Sequence, residues 1–285
     1  MTRRQLLGDA ALLAAAQPSI QAQAARKRDL LASLWTSDKL AAVARASFHP
    51  YPAASERAGW EALPGSARST LIAAGERQLR TPWEVLPATI ALEFARNGNR
   101  SRYEALSFGR RSKLAELTIA ECAEGKGRFI DEIVNGIWLV TEETFCGVPA
   151  HLRVQKASVG LPDVSEPIVD LFAAETAAQL AWTLYLLEPQ LREVSPLVPA
   201  RIRLETTRRI LTPCLERNFA WMGFDTPPPN NWNPWICSNW LTSVLLVEAS
   251  EQRRVAAIQK IVQSLDHFLN GYADDGGCDE GPSYW

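Results

Sequence analysis

From Asp29 onward the apolar residues of this chain recur at three- and four-residue intervals with few interruptions, a spacing that suits stacked α-helices and little else. Phe129, Ile130, Ile133, Val134, Ile137, Val140 and Phe145 form one such stripe; Ile258, Ile261, Val262, Leu265, Phe268 and Leu269 form another. The segment from Val169 to Leu187 is apolar nearly all round, with no charge between Glu175 and Glu188, so a helix there must be covered on most sides. Two-residue alternation is scarce; Leu152-Arg153-Val154-Gln155 is the nearest candidate strand and it is short.

The periodicity predicts helices near 29–46, 66–79, 87–97, 111–124, 127–145, 165–187, 198–220, 234–249 and 251–271. Between them stand Pro64-Gly65, Pro82, Asn97-Gly98-Asn99, Gly125 to Gly127, Gly160 to Pro162, Pro196 to Pro199 and Pro227 to Pro234. Pro213 falls inside the 198–220 pattern and predicts a kink. Successive helical hairpins point to an all-α solenoid or an α/α toroid. No reused sequence repeat is visible, which favours the toroid.

Residues 1–24 read as an address. Thr2-Arg3-Arg4-Gln5-Leu6-Leu7-Gly8 is a twin-arginine pattern, an Ala/Leu-rich stretch follows, and Ala22-Gln23-Ala24 supplies a small-x-small cleavage site. The expectation is export to the periplasm or beyond, with residues 25–285 as the working domain. Beyond the address, the uncharged stretch from Thr226 to Val247 is long enough to span a bilayer. Pro227, Pro228, Pro229 and Pro234 disqualify it. A net charge of −2 excludes a broadly basic nucleic-acid binder, and five cysteines without a C-x-x-C pair give no zinc or disulfide framework.

Two polar-aromatic stretches bracket the 234–249/251–271 hairpin. The first runs Pro229-Asn230-Asn231-Trp232-Asn233-Pro234-Trp235-Ile236-Cys237-Ser238-Asn239-Trp240. The second runs Tyr272-Ala273-Asp274-Asp275-Gly276-Gly277-Cys278-Asp279-Glu280-Gly281-Pro282-Ser283-Tyr284-Trp285. Asparagine offers uncharged donors, tryptophan faces stack on pyranose rings, and a tyrosine hydroxyl can move a proton. An out-and-back hairpin returns the second stretch to the end of the bundle where the first lies, so the two can line one cleft.

Asn-Asn-Trp-Asn-Pro-x-x-Cys, a helical hairpin, then Asp-Gly-Gly-x-x-Glu-Gly-Pro-x-Tyr-Trp resembles the heparinase II/III-like polysaccharide lyases over roughly residues 229–285. Looser similarity surrounds Glu143-Thr144-Phe145-Cys146-Gly147-Val148-Pro149-Ala150-His151-Leu152. The resemblance implies an α/α toroid followed by a β-sandwich, and β-elimination on an anionic, uronate-containing polysaccharide without a cofactor. It implies that Asn231, or Asn230 one residue earlier, neutralises the uronate carboxylate and that Tyr284 is the catalytic tyrosine. The chemistry agrees: the proton α to a charged carboxylate is barely acidic, and amide hydrogen bonds stabilise the enolate-like charge as it develops. Tyrosine serves either as a base, if a nearby cation lowers its pKa, or as the acid at the departing oxygen. Trp232, Trp235, Asn239, His151 and Glu280 are expected around the sugar. The family also takes a histidine from further downstream and carries a sandwich. On that comparison the chain is a fragment, with little turnover expected from residues 25–285 alone.

Blander readings stand beside these. Asn231 suits a helix cap or Asx turn, Tyr284 an aromatic packed on the hairpin, and Trp232 and Trp235 core wedges. Asp274, Asp275, Asp279 and Glu280 invite a toroid glycoside hydrolase, although the spacing lacks the alternate-position ligands of a calcium loop, and no metal is expected. A non-catalytic helical glycan-binding module is the third reading.

Overall fold

Every regular element among the described residues is helical. The structure, a computed structural model, describes residues 27–46, 48–225, 229–273 and 275–277. The proposed address at 1–24, and Asp274, Asp279, Glu280 and Tyr284, lie outside the described residues. The principal helices are α1 (Ser37–Arg45), α2 (Gly65–Leu79), α3 (Ser101–Glu124), α4 (Ile130–Thr141), α5 (Leu171–Val194), α6 (Leu197–Thr206), α7 (Trp232–Val247) and α8 (Glu251–Asn270). Among the described residues no helix is long and apolar enough to cross a membrane.

Three long helices run parallel and side by side. Phe108 of α3 meets Phe172 of α5 with ring centroids 4.8 Å apart. Further along, Arg111 Nε donates to Thr176 Oγ1 at 3.0 Å, and the Thr118 and Thr183 hydroxyls lie 3.4 Å apart. Phe172 also meets Trp235 of α7 at 6.3 Å, so the N-terminal ends of α5 and α7 lie together. Each parallel helix has an antiparallel partner. Gln78 Nε2 of α2 donates to Glu116 of α3 at 2.9 Å, and Arg68 Nε to the Ala123 carbonyl at 2.9 Å. Arg203 of α6 pairs with Glu188 of α5 at 2.9 Å, and Asn233 of α7 reaches Ser264 of α8. Gly75 permits the close α2/α3 crossing, because a Cβ there would sit 2.3 Å from Ala120 Cβ. Leu114, Leu117, Ile133, Ile137, Leu184, Leu187, Leu191 and Ile202 are fully buried between these layers. Helical hairpins are therefore as the periodicity predicts.

Several boundaries differ for physical reasons. The expected 111–124 helix starts ten residues earlier, at Ser101. Its first turns carry Arg102, Glu104, Arg110 and Arg111, whose stabilisation comes from ion pairs that periodicity cannot see. The expected 165–187 helix starts at Leu171 because Asp170 caps it, accepting from Ala173 N at 2.7 Å, and it runs on through Pro189 to Val194. The expected 29–46 helix divides into Leu30–Leu34 and α1. Its first piece is held to α8 by Asp266, whose two carboxylate oxygens accept from Leu31 N and Ala32 N at 2.8 Å each. Pro213 yields a π turn over Thr207–Leu211 between α6 and the short helix Thr212–Glu216. Proline lacks an N–H and crowds the carbonyl four residues back, and a wider turn accommodates both.

Two carboxylates, the half-buried Glu188 and the buried Glu205, couple this fold to pH. Burial pushes Glu188 and Glu205 upward, but hydrogen bonds and charge from Arg192 and Arg203, and from Arg208 and Arg209, outweigh it and hold both below 4.5. An acid whose pKa is depressed on folding contributes stability above its unfolded value and loses it as pH falls through the folded one. The melting temperature is therefore expected to decline from about pH 4.5 downward. Glu205→Gln should flatten that decline; an unchanged slope in the variant would refute the assignment.

Candidate active site

The loop after α4 delivers a histidine to the start of α5. Its first half is anchored by charge: Glu143, with its side chain 4% exposed, accepts from Arg110 Nη1 at 2.8 Å and from Arg111 Nη1 and Nη2 at 3.0 and 2.6 Å. Arg209 adds bonds to Cys146 Sγ at 3.0 Å and to the Thr141 carbonyl at 2.9 Å. Burial raises the Cys146 thiol above its ordinary pKa despite the nearby guanidiniums, so it is a packed, protonated sulfur at neutral pH. Gly147 is required next, since a Cβ there would lie 2.3 Å from Asp170 Oδ1. Pro149 then opens a short 3-10 helix, Pro149–Val154, which carries His151.

His151 Nδ1 lies 2.7 Å from Asp170 Oδ2. Asp170 is wholly buried and accepts in addition from Val148 N at 3.2 Å and Ala173 N at 2.7 Å. A carboxylate meeting Nδ1 favours the tautomer with its proton there and leaves the Nε2 lone pair unprotonated, on a ring whose side chain is 10% exposed. No described residue hydrogen-bonds Nε2. The ring lies parallel to Phe172 at 5.8 Å and tilted against Trp232 at 4.6 Å. Phe108, Phe172 and Trp235 extend the aromatic wall, and Trp235 is 44% exposed.

The start of α7 separates the three asparagines of the motif. Asn230 turns inward on its own chain, its Oδ1 accepting from Trp232 N at 3.1 Å. Asn233 is fully buried, and its Nδ2 bonds the Trp221 carbonyl and both oxygens of Ser264 at 2.9 to 3.0 Å, fastening α7 to α8. Asn231 is the N-cap residue, yet its side chain makes no capping bond, and no acidic residue occupies the first turn. Asn231 thus occupies the cap position without a side-chain capping bond, and Asn230 is the residue that forms the Asx turn. Trp240 is buried in the core, whereas Trp232 is half-buried at the cluster. Asn239 lies one turn beyond Trp235, its Nδ2 bonded to the Trp235 carbonyl at 2.9 Å, and lines a separate cavity shared by α3, α5 and α7.

His151, Trp232 and Trp235 therefore meet in one place, with Asn231 adjoining them in the chain. Asp170, Phe172 and Phe108 complete the cluster and were not anticipated. Asp170 had one visible signal, its position before a long apolar helix, and that signal indicates only a cap. Of the acidic loop, Asp275 is described: its Oδ1 accepts from Gly277 N at 2.9 Å within its own turn. Among the described residues no group of three or more His, Cys, Asp or Glu side chains is placed to hold a metal ion. No family model matches the chain, and no curated protein matches it.

Proposed function

We propose that this protein is an exported polysaccharide lyase that cleaves a uronate-containing glycan by β-elimination, and that its hairpins form part of an α/α toroid. The observation that carries the reading is the Asp170-held His151, packed against Trp232 at the start of α7 with Nε2 unbonded. The sequence resemblance around Asn231 and Tyr284 supports it independently, as does the parallel course of α3, α5 and α7.

The roles follow from the chemistry. The substrate carboxylate takes hydrogen bonds from the Asn231 amide at the α7 N-terminus, where the helix field also favours a negative charge. With that charge offset, His151 Nε2 accepts the proton α to the carboxylate. The C–H electron pair becomes the new carbon–carbon double bond and the bond to the glycosidic oxygen breaks. Tyr284 is assigned the proton that the departing oxygen receives. Trp232 and Trp235 hold sugar faces. The imidazole then belongs to this chain, so the reading needs no histidine from further downstream.

The full chain should be incubated with heparan, alginate and ulvan-type polymers while ultraviolet absorbance is followed, since elimination creates a conjugated unsaturated uronate and hydrolysis or simple binding does not. Product is expected from at least one polymer. Asn231→Ala is expected to lower kcat about 10²-fold or more, the scale of a lost oxyanion donor, and Asn230→Ala far less. Absence of unsaturated product from all three, or equal effects of the two substitutions, would sink the reading.

A further inference from the structure

A cavity of about 650 Å³ opens along the shared face of α3, α5 and α7, within the roughly 300–1,000 Å³ range of small-molecule sites. It begins one helical turn from the aromatic cluster: Glu175 follows Phe172 on α5, and Asn239 follows Trp235 on α7. From Phe172 to Trp182 the α5 backbone rises about 15 Å, enough for several consecutive sugar rings. Three aromatic residues line it. Tyr51 and Trp182 stand 5.8 Å apart with planes inclined at 52°, and Trp60 is fixed by Nε1 bonds to the carbonyls of Pro52 and Ala53 at 3.2 and 3.1 Å.

The polar groups of this groove are unlike those of an anion site. None of its lining residues is Lys, Arg or His. Gln179 Nε2 already donates to the Arg111 carbonyl at 2.6 Å and Asn239 Nδ2 to the Trp235 carbonyl at 2.9 Å, while the oxygens of both amides take no bond from the described residues. The exposed Glu175 carboxylate makes no ion pair among the described residues. Free acceptors beside aromatic faces match a ligand that is rich in hydroxyl donors and has C–H faces to stack. A carboxylate or sulfate would instead meet Glu175 with no cation to offset the repulsion.

We propose that this groove binds an uncharged run of hydroxylated pyranose rings, so that the substrate carries neutral sugars next to the uronate that is cleaved. The location relative to cleavage rests on the lyase reading; the preference for uncharged sugar does not. Trp182 and Trp60 supply the stacking faces, Gln179, Asn239 and Glu175 accept from hydroxyls, and Glu175 rejects sulfated or carboxylated rings.

The test uses hexasaccharides of heparan, alginate and ulvan, each desulfated and with its carboxyls reduced to primary alcohols, alongside the untreated parents. Binding to the full chain is followed by tryptophan fluorescence and calorimetry. At least one reduced hexasaccharide is expected to bind, and Trp182→Ala is expected to weaken it about tenfold. Glu175→Lys, at an exposed position that leaves packing intact, should improve binding of the charged parents relative to the reduced forms. Failure of all three reduced hexasaccharides to bind would overturn the proposal, as would binding indifferent to both substitutions. So would sedimentation showing that the groove is closed by a second copy of the chain and freed by Trp182→Ala. Reduced sugars have no carboxylate to activate elimination. Trp182-dependent binding without unsaturated product from any parent would therefore retain the groove and discard the lyase, and the converse result would do the reverse.

Discussion

Asp170→Asn is expected to leave the protein folded and its elimination rate lower by about 10²–10⁴-fold, the usual scale of a lost general base. The asparagine oxygen can still accept from Ala173 N and keep α5 capped, but the buried Val148 N, which donates to the other carboxylate oxygen, loses its acceptor, so the stability loss should be about 1–3 kcal/mol. The other terminus of the amide is a donor, however, and it faces His151 Nδ1 where a carboxylate oxygen stood at 2.7 Å. The imidazole must then present its Nδ1 lone pair, which moves the ring proton to Nε2 and removes the base. Nitrogen-15 NMR of the His151 ring reads that exchange directly, because the protonated nitrogen changes from Nδ1 to Nε2. His151→Ala should lose as much rate while leaving both backbone donors bonded to Asp170. Asp170→Ala leaves three buried donors without a partner at roughly 1–3 kcal/mol each and should be the least stable of the set. An asparagine variant with wild-type tautomer and wild-type rate would show that the pair is only a packing contact.

This arrangement also explains which parts of the molecule were legible in the sequence. The Ile258–Leu269 stripe became a helix buried on one side and the Phe129–Phe145 stripe did so over Ile130–Thr141, with Phe145 in the loop beyond, because apolar spacing reports burial directly. The N-terminal half of α3 was hidden for the opposite reason. Arg110 is 5% exposed, and a buried charge in a sequence looks like a solvated face. The partner that makes its burial tolerable, Glu143, comes from a different segment.

The candidate-site cluster shows the same division. Asn231, Trp232 and Trp235 were legible as a local motif, and His151 as a histidine in a loop with looser similarity. What joins them is Asp170, nineteen residues from the histidine it holds and otherwise an ordinary helix cap. Sequence spacing carries no information about such a bond, since both segments are non-repetitive and their meeting depends on how α4 and α5 pack. Asn233 makes the complementary point: it sits inside the most specific motif of the chain, yet its contacts are with Ser264 and the Trp221 carbonyl, where it fastens helices together. A motif can therefore mix groups that face the candidate site with groups that hold the first kind in place.

Glu143 belongs to the second kind, and Glu143→Ala is expected to destabilise the protein by roughly 3–5 kcal/mol. The carboxylate lies between two guanidiniums whose side chains are 6% and 11% exposed. Removing it leaves two positive charges in a dry environment, facing each other without an anion between them. At a few degrees per kcal/mol for a chain of this size, the melting temperature should fall by about 10 °C. The neighbouring Glu142 is exposed, and Glu142→Ala should stay within about 0.5 kcal/mol of wild type, which makes it the internal control. The effect should also reach the chemistry. Arg111 Nη2 bonds both Glu143 and the Cys146 carbonyl, so the pair fixes the path of the segment that leads through Gly147 to His151. Below its lowered melting point, Glu143→Ala should therefore show a weakened His151 Nδ1 to Asp170 bond in the nitrogen-15 spectrum and reduced turnover, although residue 143 touches no substrate. A melting temperature no lower than that of the Glu142 control would remove the anchor. An intact imidazole signal in a clearly destabilised variant would separate the anchor from the histidine and leave His151 positioned by Asp170 and the aromatic wall alone.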